Sequence, residues 1–165
     1  MKGQREKVKD QKVNGNKMTL YLDMCVYNRP FDDQSQSRIM LETQIFMILL
    51  AMTWDGRCKL VNSFALVYEN SRNPNIENMQ KIKDLLGYSE EYISYDISIL
   101  EKALELEKCG LMGMDALHIA CAQKAKVDFF ITCDDNLLKK LKRIDNSGLR
   151  CYNIIDFISR EVFKR

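Results

Sequence analysis

Apolar positions along the chain switch between two regimes. Met18 to Val26 is a short, mostly apolar run broken by one acid, Asp23, near its C-terminal end, as in parallel strands covered on both faces. After the polar loop NRPFDDQSQS, the stretch Arg38 to Trp54 carries Ile39, Ile45, Phe46, Leu49, Leu50 and Met52 on a wide helical face, and Gly56 is its stop. Lys59 to Asn62 predicts a second strand, and Ser63 an N-cap for a helix to about Ser71 that must end before Pro74. Helices follow over Asn75 to Leu86 and Ile97 to Cys109, stopped by Gly87 and Gly110, with a short strand between them at Tyr92 to Tyr95. MDALHIACAQKA reads as helix from about Met114, and DFFITCDD holds the clearest buried strand. Asn136 to Ile144 is a lysine-rich helix, and Cys151 to Phe157 a last strand with a helical tail. Strands alternating with helices mean an α/β fold around a mainly parallel sheet.

Length and composition refine this picture. The 165 residues suit one domain, and 46% hydrophobic content supports a true core. Met1 to Lys17 carries little beyond Val8 and Val13 to bury, so residues 1–17 read as a disordered tail and 18–165 as the folded unit. Met18, one residue before the first convincing strand, is an alternative start. The 25 basic and 23 acidic residues nearly cancel, so affinity for a polyanion must come from a local patch. Six cysteines without a Cys-x-x-Cys pair read as reduced cytosolic thiols. The longest wholly apolar run, Ile45 to Met52, falls far short of the roughly 20 residues of a membrane helix. The expectation is a soluble, cytoplasmic protein.

Ligands of an open parallel sheet bind at the carboxyl ends of its strands. Asp23 and Asp134 fall there, and Glu69 and Asp115 lie on helices starting near the same edge. Four carboxylates in one pocket need a neutralising partner, because an unpaired buried carboxylate costs several kcal/mol or takes up a proton. Oxygen-only ligands favour a hard ion, Mg²⁺ or Mn²⁺, of the kind that activates water and stabilises a leaving oxygen in phosphodiester hydrolysis. Taken singly, each acid has a plainer reading: Asp23, Asp134 and Asp135 as turn formers or helix caps, Asp115 as a complement to a helix dipole, Glu69 as a solvated helix residue.

The joint pattern separates these readings. YLDMCVYNR, NSFALVYEN, MDALHIACA and FFITCDDNLL, in that order over about residues 18 to 158, resemble the PIN-domain family, VapC-like toxin ribonucleases among them. The shared features are an Asp at the end of the first strand, Ser63 six residues before Glu69, the Asp115-Ala116-Leu117 helix start and Thr132-Cys133-Asp134. The resemblance implies a three-layer α/β/α, flavodoxin-like domain and a metal-dependent ribonuclease, the toxin of a pair inhibited by a small antitoxin. It makes Asp23, Glu69, Asp115 and Asp134 the catalytic ligands of Mg²⁺ or Mn²⁺, and RNA the substrate, cut to leave 5'-phosphate and 3'-hydroxyl ends. Thr132 then positions Asp134 or meets the scissile phosphate. Met24 and Cys25 depart from the Thr and Asn or Ser of many relatives, and Asp135 competes with Asp134 for the metal.

Other residues remain open between two roles. His118 lies three residues after Asp115, either lining the pocket or packing in the core. Lys139, Lys140, Lys142 and Arg143, with Arg29 as a substrate-positioning residue, either contact phosphates or form solvated surface. Asp32 and Asp33 are turn and cap residues. The helix with Phe46, Met47 and Trp54 is mostly core, its outer residues serving a homodimer or an antitoxin groove. An inactive PIN-like binding module is the alternative function. A phospho-receiver fits poorly, because the acid after the first strand is single and Asp115 opens a helix.

Overall fold

The computed structural model describes residues 17–144 and 148–164. Of the expected tail, residues 1–16 lie outside the described residues, and Lys17 pairs with Glu90 at 2.8 Å.

Five strands, β1 (Met18–Leu22), β2 (Cys58–Ser63), β3 (Glu91–Ile93), β4 (Phe129–Thr132) and β5 (Arg150–Asn153), form one parallel sheet in the order β3-β2-β1-β4-β5. The helices are α1 (Met24–Asn28), α2 (Ser37–Trp54), α3 (Phe64–Ser71), α4 (Ile76–Leu86), α5 (Ile97–Lys108), α6 (Gly113–Ala125), α7 (Asp135–Lys142) and α8 (Ile154–Phe157). From β1 the chain builds outward to β3, then returns to the other side of β1 with β4. The β1/β4 boundary is therefore the point where strand order reverses, and a crevice opens there at the carboxyl edge.

Leu20, Tyr21 and Leu22 of β1 and Phe130 and Ile131 of β4 are fully buried. Both faces of these central strands are covered, α2 packing on β2 and α8, and α6 on β2, β3, α3 and α5. This is the expected three-layer architecture.

Several expected boundaries move. The first strand ends at Leu22, not Val26, because the Asp23 side chain accepts from the Met24 amide and starts a helix. The last strand stops at Asn153, whose side chain caps α8, so Ile154 to Phe157 are helical from the outset. β4 ends at Thr132. Phe46 is buried as expected, but Met47 and Trp54 are not core: they are 52% and 63% exposed, Trp54 standing edge-on to Tyr88. Gly56 does end α2, at a positive φ of 75° that a side chain would strain.

Candidate active site

Asp23 leaves β1 and Asp134 leaves β4, so the two flank the reversal point. One hydroxyl ties them together. Thr132 Oγ1 donates to Asp23 Oδ2 at 2.8 Å and accepts from the Asp134 amide at 3.0 Å. Thr132 is fully buried, so it positions both acids from below. Asp134 Oδ1 also accepts from the Asn136 and Leu137 amides, capping α7.

Cys25 fills the place where a hydroxyl or amide was expected. Its Sγ lies 3.5 Å from Asp23 Oδ2 and 3.3 Å from Thr132 Oγ1, and accepts from the Cys133 amide at 3.2 Å. The contact with Cys133, then burial, then the Asp23 charge push this thiol well above its ordinary pKa. It stays protonated, able to donate to Asp23.

Glu69 comes from α3 and Asp115 from the first turn of α6. His118 Nε2 meets Glu69 Oε2 at 2.7 Å, while Nδ1 meets the Tyr21 hydroxyl at 2.8 Å. Tyr21 in turn meets Ser63 Oγ at 2.7 Å, and Ser63 Oγ caps α3 by accepting from Leu66 N. Tyr21, Ser63 and His118 are almost completely buried. The chain of bonds thus begins and ends on α3, pinning Glu69 relative to its own helix cap. Burial opposes a charged His118, but the Glu69 hydrogen bond and the Asp23 field outweigh it and hold the imidazole above its ordinary pKa.

Asp115 is different. It has no hydrogen bond or ion pair among the described residues. Burial first, then the charges of Asp23 and Asp134, with Glu69 adding, raise its pKa to about 6, while His118 pulls the other way. Asp115 therefore feels the other three expected acids.

Asp135 is engaged by Arg38, whose guanidinium grips it through 2.7 and 3.0 Å bonds, with Asn153 adding a third. The Arg38 hydrogen bonds hold Asp135 below its usual pKa. Arg38 and Arg29 also flank Glu42, which is fully buried. Burial would raise Glu42, but the bonds from Arg38 and Arg29 prevail and lower it. Arg29 further binds Asp32 at 2.8 Å, so its charge is already matched by two carboxylates. Lys139, Lys142 and Arg143 remain exposed on and just after α7, without ion pairs among the described residues.

The donor set suits a hard dication: four carboxylates, one of them unpaired and crowded by the rest. Among the described residues, no three His, Cys, Asp or Glu side chains stand close enough together to hold an ion as they lie. The fit is one of charge and donor type, and ligation requires a side chain to move inward.

The four acids and Thr132 are the site residues expected from the sequence; Tyr21, Arg38 and Glu42, which bond to their neighbourhood, are not among them. Arg38 and Glu42 had a signal, four residues apart on an otherwise uncharged helix. Tyr21 had none, since a tyrosine in a buried strand looks like packing.

No family model matches the chain, and no curated protein matches it. Among solved structures, a chain in the crystal structure of VapBC2 from Rickettsia felis bound to a DNA fragment from their promoter is similar, with a TM-score of 0.51 and 21% identity. The match covers 82% of this chain and 98% of that one. The likeness and the sheet topology together give this protein a PIN-like fold. Among the described residues, no helix is long and apolar enough to cross a membrane.

Proposed function

We propose that the protein is a metal-dependent endoribonuclease that hydrolyses RNA phosphodiester bonds as the toxin of a toxin–antitoxin pair. One observation carries the reading: Asp115 lies unpaired at the carboxyl edge with its pKa pushed up to about 6 by burial and by neighbouring acids. A carboxylate so placed favours either a proton or a cation, and at neutral pH the cation is the functional choice. Asp23, Glu69, Asp115 and Asp134 would hold Mg²⁺ or Mn²⁺. When bound, the ion supplies charge neutralisation, activation of water and stabilisation of the leaving oxygen.

The chain's own residues prepare that site. Thr132 fixes Asp23 and the Asp134 backbone, and Cys25 adds contacts to Asp23, Thr132 and the Cys133 amide. His118 holds one oxygen of Glu69 and leaves the other for ligation. Asp115, free of partners, is the group able to turn inward.

The VapBC2 likeness supports an antitoxin partner. The exposed apolar side chains of α2, among them Met47, Ile48 and Trp54, offer a face for the antitoxin or for a second copy in a homodimer. Purified protein with end-labelled RNA tests the activity. Cleavage with Mg²⁺ or Mn²⁺, abolished by chelation and leaving 5'-phosphate and 3'-hydroxyl ends, is the expected result.

The alternative, an inactive PIN-like binding module, draws support from the fact that, among the described residues, no three potential ligands are arranged to hold an ion as they lie. In that case Asp23→Asn leaves the cellular phenotype intact.

A further inference from the structure

Beside the carboxylates, a groove of about 480 Å³ runs from Glu69 between α1, α3 and α4. Besides the carboxylates of Glu69 and Asp32, its walls carry aromatic rings, amides and an arginine. Tyr68, next to Glu69 on α3, is 48% exposed and lines the groove with Phe31. Arg72, one helical turn on, donates from Nη1 to the Tyr68 hydroxyl at 2.8 Å, with its guanidinium carbon 5.7 Å from the ring centre. Three half-buried amides complete the wall, Asn28, Asn73 and Asn78. The Asn28 and Asn78 side chains have no hydrogen-bond partner among the described residues. Asn73 uses only its oxygen, accepting from Asn75 N at 3.0 Å.

We propose that this groove is a nucleotide subsite of the ribonuclease, in which a base flanking the scissile phosphate stacks on Tyr68 and Arg72 contacts its phosphate. The inference rests on the ribonuclease reading and says where the substrate lies. A chain whose phosphate reaches the four acids must place a neighbouring nucleotide on one side of them, and this is the cavity that opens at Glu69. Single-stranded RNA is held by stacking on aromatic rings and guanidinium planes, with base edges read by hydrogen bonds, and amides present both donor and acceptor to such edges. The arginine expected to position substrate, Arg29, is matched by Glu42 and Asp32. Arg72 has no carboxylate partner among the described residues, so its charge is available to a phosphate.

Fluorescence anisotropy with a short labelled single-stranded RNA, in Ca²⁺ to keep the strand intact, tests the assignment. Tyr68→Ala should weaken binding about tenfold, and Tyr68→Phe should remain within about twofold of wild type, because stacking survives. Arg72→Ala should weaken all sequences alike and lower the salt dependence by about one ion. An RNA abasic at the stacked position should bind wild type and Tyr68→Ala equally. Both residues are exposed, so melting temperatures should stay near wild type. Wild-type RNA binding retained in both alanine variants, including a case where only association with a co-expressed partner protein is lost, overturns the subsite and leaves the ribonuclease reading standing. A wild-type protein that neither binds nor cleaves RNA overturns both.

Discussion

His118 Nε2 lies 2.7 Å from Glu69 Oε2, and the opposite ring nitrogen lies 2.8 Å from the Tyr21 hydroxyl. The imidazole is thus held at both ends, and it ties Glu69 on α3 to Tyr21 of β1. Partners that orient a metal-binding side chain typically change metal affinity ten- to a hundredfold. His118→Ala should weaken Mn²⁺ binding by about that factor, measured by calorimetry or by the electron paramagnetic resonance of free Mn²⁺. His118→Gln, which keeps a donor, should recover part of the loss. Equal Mn²⁺ affinity in all three proteins would remove the positioning role.

Asp115 links stability to pH. Its folded pKa, about 6, lies above the ordinary 3.8. Folding therefore favours the protonated acid, and stability is highest below about pH 4 for this group and falls as pH rises to about 6. A shift of this size corresponds to roughly 3 kcal/mol, reduced to about 1 to 2 kcal/mol for a group with partial solvent access. Asp115→Asn should raise the melting temperature of the metal-free protein at pH 7.5 by roughly 3 to 6 °C, while at pH 4 the two proteins should differ little. Dication should stabilise wild type more at pH 7.5 than at pH 5. A pH-independent difference between the proteins counts against charge crowding.

Ser63 stands at the other end of the same bond chain. Its hydroxyl caps α3 through Leu66 N and meets the buried Tyr21 hydroxyl. Losing a cap costs about 1 kcal/mol, and leaving a buried hydroxyl short of a partner adds about 1 to 2 kcal/mol. Ser63→Ala should destabilise by roughly 2 to 3 kcal/mol in urea unfolding, whereas Ser63→Thr should retain most of the stability if the extra methyl fits. A loss under about 0.5 kcal/mol for the alanine variant would show that the bond chain is not holding the helix.

Cys25 is the residue by which this crevice departs most from the expected motif. Its thiol touches Asp23 and Thr132 and accepts from Cys133 N. A hydroxyl makes the same bonds with shorter reach, so Cys25→Ser should keep RNA cleavage within a few-fold of wild type. Cys25→Val removes every bond and should lower cleavage about tenfold or more. Valine at wild-type activity would mean that Asp23 needs only Thr132.

Asp23, Asp134 and Asp115 are legible in the sequence because they sit after strands or in the first turn of a helix, positions that local patterning marks, and Glu69 is legible through its six-residue offset from the Ser63 cap. Asp23 shows what was hidden. Its apolar flanks predict a strand through Val26, yet its side chain captures Met24 N and turns the chain into helix. The Thr132-Cys133-Asp134 spacing favours Asp134 over its neighbour Asp135, and no local pattern encodes the pairing of Asp135 with Arg38, 97 residues away. Trp54 looked like core because periodicity fixes which residues share a helix face, not where the covered sector ends; it is 63% exposed. The Tyr21, His118 and Glu69 chain joins three elements distant in sequence, and no local pattern encodes such a contact.

If the four acids hold a dication that hydrolyses RNA, removing one of them must abolish cleavage. The most direct test compares wild type with Asp115→Asn, both folded by circular dichroism, for Mg²⁺-dependent cleavage of single-stranded RNA. Wild type should cleave, and the variant should lose at least about a hundredfold, with growth arrest on induction abolished in parallel. Equal cleavage by both proteins, or none by wild type with either Mg²⁺ or Mn²⁺, would contradict it.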